Sequence, residues 1–184
     1  MRIILGSSSP RRRELMGLLG YPFEVVYPEV DEIENGLKPI EVVKGIARTK
    51  RKAIQKEYKT DLVICADTIV VLDERILGKP KTKNDARRMI SLLQDRTHEV
   101  LTAVECGKGK NIHSFVVKTK VSIAKMSSDE IEAYIETDEP YDKAGGYAIQ
   151  GLFAKYVQKI DGDYYNVMGL PLAKLYQVLK KMME

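Results

Sequence analysis

The apolar run Leu62-Val63-Ile64-Cys65-Ala66, resumed as Ile69-Val70-Val71-Leu72, constrains this chain more than any other stretch. It lacks the alternation of a strand with one wet face and reads as a strand fully buried in a sheet. Asp67 and Thr68 interrupt it. A carboxylate in the middle of a buried strand is abnormal, and it requires a cationic partner, a turn to cap or a chemical task.

A second arrangement precedes it. The short strand Ile3-Ile4-Leu5 runs through Gly6-Ser7-Ser8-Ser9 into Pro10-Arg11-Arg12-Arg13 and a helical stretch ending near Leu19. Ser9 suits the N-cap, and Pro10 suits the first helical position, where its missing N–H has no partner to lose. Cations at a helix N-terminus oppose the macrodipole, which makes sense where an anion is shared between arginines and free backbone N–H groups. The segment that holds Ser7, Arg11 and Arg12 therefore reads as a phosphate-binding corner; a solvated basic turn is the plainer alternative.

Downstream, residues 23–27 read as a strand. An acid-rich loop with Glu29, Asp31, Glu32 and Glu34 follows, whose carboxylates must face water, bases or metal. Pro39 opens a helix to residue 58, with Arg48, Lys50, Arg51 and Lys52 crowding its later turns. Asp73-Glu74-Arg75 is a turn, and Gly78-Lys79-Pro80 sets a lysine between two chain breakers. Thr82 and Asp85 form a capping pair for a helix over 83–94, and Ser127 with Glu130 a capping box for one ending at 136. Strands over 100–105 and 112–125 are joined by Gly107-Lys108-Gly109-Lys110 as a hairpin. The glycine-rich segment 138–151, which carries Lys143 and Gln150, has the length and composition of a binding loop. Apolar segments 153–160 and 164–167 flank a turn at 161–163, and a helix over 171–183 closes the chain.

This order predicts a single α/β domain over residues 1–184. Its mixed, elongated central sheet is flanked by helices, and two lobes enclose a cleft. A formal charge of +4 does not demand a nucleic-acid partner, and no run approaches the length of a membrane span. Met1-Arg2 leads straight into a strand, which points to a cytoplasmic protein. Cys65 and Cys106 lie in apolar runs without metal-ligand spacing and read as buried thiols. His98 and His113 read as ordinary surface or strand residues.

A nucleoside triphosphate accounts for the remaining polar groups together. Its charge matches the cations at Arg11, Arg12, Lys50 and Lys79, while Glu32 and Asp67 suit a divalent ion, Mg²⁺ or Mn²⁺, held against phosphate oxygens. Hydrolysis needs a carboxylate to take a proton from water, and Asp67 is the candidate.

The residues also resemble a known family. Ser7-Ser8-Ser9-Pro10-Arg11-Arg12, Asp31-Glu32, Ala47-Arg48-Thr49-Lys50, Ala66-Asp67-Thr68, Leu77-Gly78-Lys79-Pro80, Thr97-His98-Glu99-Val100 and Asp142-Lys143-Ala144-Gly145 are similar, in order, to blocks of the Maf nucleoside triphosphate pyrophosphatases. The resemblance implies an inosine triphosphate pyrophosphatase-like fold, metal-dependent release of pyrophosphate, a cytoplasmic location and often a homodimer. It implies Asp67 as proton acceptor, with Glu32, Lys50 and Lys79 in the catalytic cleft. Ser7, Arg11, Arg12, Thr68, Lys143 and Gln150 become substrate-binding residues. The stretch from Gly146 to Gly151 resembles the branch acting on dTTP and UTP, with Arg11, Thr68 and Gln150 linked to substrate choice. Arg51 stands where the family commonly has a small residue. A role in preventing misincorporation and in cell-division arrest is also implied; the competing class is a nucleic-acid or septum-protein binder without hydrolysis. The scarcity of aromatics among the basic blocks disfavours a single-strand binder.

Overall fold

The computed structural model describes residues 2–28 and 37–183. In chain order the elements are β1 (Ile3–Gly6), α1 (Pro10–Gly17), β2 (Glu24–Val26), α2 (Pro39–Gln55), β3 (Leu62–Leu72), β4 (Arg75–Leu77), α3 (Lys83–Leu93), β5 (Thr97–Lys108) and β6 (Asn111–Ile123). They continue as α4 (Ser128–Ile135), 3₁₀ turns at Glu139–Asp142, Ala144–Gly146 and Leu152–Tyr156, then β7 (Val157–Asp161), α5 (Tyr164–Met168) and α6 (Leu172–Met183). The strands form one sheet in the order β2-β1-β3-β5-β6-β7, with β4 on β3. β1 runs parallel to β2 and β3, whereas β4 is antiparallel to β3 and β7 to β6, so the sheet is mixed as the sequence predicts.

β3 is uninterrupted through Asp67 and Thr68, and apart from Thr68 every residue of it is buried. The chain divides into two compact units: Met1–Thr68, Thr102–Val117 and Gly169–Glu184 form the first, Ile69–Leu101 and Lys118–Met168 the second. In the first, Ile4, Ile54, Val63 and Cys65 pack together. A Cβ on Gly6 would lie 2.4 Å from both Cys65 Sγ and Ile54 Cδ1, so only glycine lets α2 and β3 close over the end of β1. The second unit has its own core. Val70, Ile90, Leu93, Ile135 and Phe153 belong to it, and burying a side chain such as Phe153 contributes roughly 1.5–3 kcal/mol.

Local rules explain most element ends. Ser127 Oγ accepts from Glu130 N at 3.2 Å while Glu130 Oε2 accepts from Ser127 N at 2.8 Å, completing the expected capping box. Thr82 accepts from Asp85 N at 3.1 Å, but the Asp85 carboxylate bonds Lys81 N instead of returning to Thr82. Asp73 and Glu74 take φ of 49° and 63°, the paired positive values that a two-residue hairpin needs between β3 and β4. Segment 153–160 divides: its first part is the 3₁₀ turn Leu152–Tyr156, and only Val157–Asp161 is strand. Segment 164–167 is helical because Asp163 Oδ1 accepts from Tyr165 N at 2.8 Å and Asn166 N at 3.2 Å. Cys65 and Cys106 are free and buried, and burial pushes both thiols up to about 12. Among the described residues, no helix is long and apolar enough to cross a membrane.

Candidate active site

In the first unit, the β1–α1 corner is built by small polar side chains acting on backbone. Ser7 is buried, and its N–H reaches Val26 O at 3.1 Å, so the chain leaving β1 stays against β2. Ser7 Oγ accepts from Ser9 N at 3.2 Å, and Ser9 Oγ caps α1 by accepting from Arg12 N at 3.4 Å. Ser7, Ser8, Ser9, Pro10, Arg13, Val25 and Tyr27 line a small recess there. Arg13, the third of the arginines at the start of α1, lines it, whereas Arg12 turns elsewhere. The Arg12 guanidinium donates from Nε to Gly169 O at 2.8 Å and from Nη2 to Thr68 Oγ1 at 2.9 Å. That bond joins two predicted substrate-binding residues, Arg12 and Thr68, by direct contact, and Thr68 Oγ1 also lies 2.9 Å from Thr102 Oγ1.

Asp67 has its cation. Lys50 Nζ donates to Asp67 Oδ1 at 2.7 Å, with only 13% and 11% of the two side chains exposed. α2 brings the lysine there because Val42, Val43, Ile46, Ala47 and Ile54 bury one face of the helix, and Lys50 lies one turn beyond Ile46 at its edge. The next residue, Arg51, goes fully inward: its Nε donates to Glu105 Oε2 at 3.2 Å, both side chains being 5% exposed or less. This pair explains the unusual Arg51, because the arginine on the buried face of α2 meets an acid on β5. The sequence holds no local signal for it, the partners being 54 positions apart.

Glu32, along with Glu29, Asp31 and Glu34, lies outside the described residues. Among the described residues, no group of three or more His, Cys, Asp or Glu is placed to hold a metal.

The second unit holds Lys79, Lys143 and Gln150. Lys79 is exposed, and the segment carrying it is tied to the glycine loop by Gly145 N donating to Gly78 O at 2.9 Å. Lys143 Nζ bonds Glu139 O at 2.9 Å and also contacts the Asp142 carboxylate. Gln150 is exposed, directly after buried Ile149.

His98 is a strand residue of β5, as one of the two sequence readings has it, but it is not on the surface. It is 2% exposed, its Nε2 lies 2.7 Å from Tyr147 Oη, and Nδ1 has no hydrogen-bond partner among the described residues. Burial pushes its pKa down to about 4 from an ordinary 6.5. Between those values the unfolded chain binds a proton that the folded chain refuses, so stability present above pH 6.5 is lost as pH falls toward 4. The loss is about 3 kcal/mol. Urea unfolding at pH 7 and pH 4.5 checks it: His98→Gln, which does not titrate, should lose markedly less stability than the parent. An equal loss in both proteins would remove His98 from the acid response.

The family described as Maf-like protein matches residues 2–182. A dTTP/UTP pyrophosphatase of Bacillus cytotoxicus is 45% identical over 181 residues, covering 98% of this chain and 95% of the relative. One of Dictyoglomus turgidum is 46% identical over 184 residues, covering 97% and 95%. Among solved structures, the Staphylococcus aureus Ham1 protein superposes with a TM-score of 0.53 at 15% identity, covering 99% of this chain and 100% of that one, which establishes a shared fold.

Proposed function

Because the chain belongs to the Maf-like protein family, we propose that it hydrolyses dTTP and UTP to the nucleoside monophosphate and pyrophosphate in the cytoplasm. The observation that supports this most is the carboxylate kept inside buried β3, oriented by the Lys50 ammonium at 2.7 Å. A structural strand has no need of that residue type.

In this reading Asp67 takes the proton of the attacking water, and Lys50 fixes the carboxylate so that one oxygen is presented in a constant direction. Water attacks the α-phosphorus, the bond to the bridging oxygen breaks, and pyrophosphate leaves with the electron pair. The β1–α1 corner, with Ser7, Arg11 and Arg12, binds phosphate through its side chains. Lys79 offsets charge on the leaving group, Lys143 binds substrate, and Thr68 with Gln150 takes part in base choice. The donor set fits a divalent ion: Asp67 is a hard oxygen ligand, and Mg²⁺ takes one or two carboxylates and completes its shell with water and substrate phosphate. Asp67 and Glu32 would hold it, and it would neutralise charge developing on the phosphoryl oxygens.

Hydrolysis in ¹⁸O-labelled water with Mg²⁺ or Mn²⁺ tests the reading. The expected products are monophosphate carrying the label and unlabelled pyrophosphate, from dTTP and UTP ahead of CTP and purine triphosphates. Label in pyrophosphate would place the attack on the β-phosphorus. Nucleoside diphosphate and inorganic phosphate as primary products would overturn the assignment altogether.

A further inference from the structure

The loop that carries Gln150 is held by one acid to which neither the sequence nor the proposed chemistry gives a task. Glu139 Oε2 accepts from Leu152 N at 2.7 Å, while Oε1 accepts from Phe153 N at 3.1 Å and from Tyr134 Oη at 3.0 Å. Its carbonyl oxygen receives Lys143 Nζ at 2.9 Å. Glu139 therefore touches both sides of the loop, caps the turn that begins two residues after Gln150, and anchors the lysine seven residues before it. The fit is tight. A Cβ on Gly151 would lie 2.0 Å from Glu139 Oε2, so the glycine next to Gln150 is the space the carboxylate occupies.

The other side of the loop is fixed as well. Tyr147 is buried and meets His98 Nε2 through its hydroxyl, and its ring packs on Phe153 at 5.0 Å between centroids. Ala148 and Ile149 are buried, and Gly151 N returns to Ala148 O at 3.3 Å. Gln150 is thus an exposed side chain on a short backbone arch whose two feet are in the core. That arrangement matters for an amide, because a primary amide held in one orientation distinguishes O4 and N3–H of uracil or thymine from the inverted pair on cytosine. An amide free to turn accepts either.

We propose that Glu139 is a positioning residue for base selection, its carboxylate setting the backbone from which Gln150 reads the pyrimidine edge. The role rests on the function proposed above. Glu139→Gln keeps the shape but turns an amide NH₂ toward at least one N–H or O–H that now donates to the carboxylate. Losing such a charge-assisted bond should raise amide exchange at Leu152 and Phe153 by about 10–100-fold. The dTTP-to-CTP ratio of kcat/KM should fall about tenfold or more, chiefly through loss on dTTP. Gln150→Ala should lower the same ratio, and the double variant Glu139→Gln/Gln150→Ala should be no less selective than Gln150→Ala alone. A merely structural acid would not give that last result. Gly151→Ala is the second variant, since its methyl displaces the carboxylate while leaving Glu139 in the chain, and it should reproduce Glu139→Gln.

Unchanged exchange at Leu152 and Phe153 in both variants overturns the latch. Raised exchange with an unchanged dTTP-to-CTP ratio, or a double variant whose losses multiply, overturns the positioning role. A parent protein that hydrolyses no pyrimidine triphosphate, or does not distinguish dTTP from CTP, overturns the reading of Gln150 and the selectivity role with it, while the exchange measurement still decides whether Glu139 holds the loop.

Discussion

Replacing Asp67 with Asn is expected to lower turnover by about 10²–10⁴-fold, the usual contribution of a positioned base, while the protein remains folded and binds nucleotide. The substitution keeps the volume of a side chain that is buried within β3, so no cavity forms. An amide oxygen still accepts from Lys50 Nζ, now 2.7 Å from the carboxylate, so the ammonium keeps a partner. The amide removes the negative charge, and with it both the basicity and the anionic oxygen proposed to hold a divalent ion. The loss should fall on kcat and kcat/KM together, as for an interaction made only in the transition state. Single-turnover rates alongside thermal melting check this. Turnover at the parent rate with a normal melt would show that another group takes the proton.

The local parts of the fold are legible because their causes are local. An unbroken apolar run gives β3, a serine and a glutamate three apart give the α4 cap, and small residues before Pro10 give the start of α1. Asp67 stands out for the same reason, as a carboxylate where the pattern demands a hydrocarbon. Segment 153–160 has no such signal. Its aromatic residues suit a strand, but Glu139 supplies a carboxylate to the N–H groups of Leu152 and Phe153, and the chain turns there as a 3₁₀ element. The acid lies 13 residues away from Leu152, beyond the reach of any period or capping rule. His98 is another case. A polar residue in a strand reads as outward-facing, and only the Tyr147 hydroxyl, 49 positions away, makes burial tolerable. What sequence reasoning misses is therefore polar groups whose partners come from distant elements.

The Arg51–Glu105 pair is the sharpest instance, and it carries the second large effect. Glu105→Ala should lower the free energy of unfolding by about 3–5 kcal/mol, because it leaves a guanidinium on the inner face of α2 without its counter-ion. Arg51 is 4% exposed and Glu105 2%, so neither charge can recover hydration by a small side-chain movement. Arg51→Met should cost a similar amount for the converse reason, since among the described residues the Glu105 carboxylate would keep only Arg48 Nε as a cation, 3.7 Å from Oε1, and Arg48 is 53% exposed. The sign changes when both charges go. Bringing two ions out of water costs several kcal/mol each, nearly as much as their attraction returns, so Arg51→Met with Glu105→Leu should restore stability to within about 1 kcal/mol of the parent or exceed it. Urea unfolding of the two single variants and the double variant, with the slope against denaturant held constant, measures the coupling directly. Single losses below about 1 kcal/mol would mean that water reaches the pair, and a double loss equal to the sum of the singles would mean that the two residues act independently in docking α2 to the sheet.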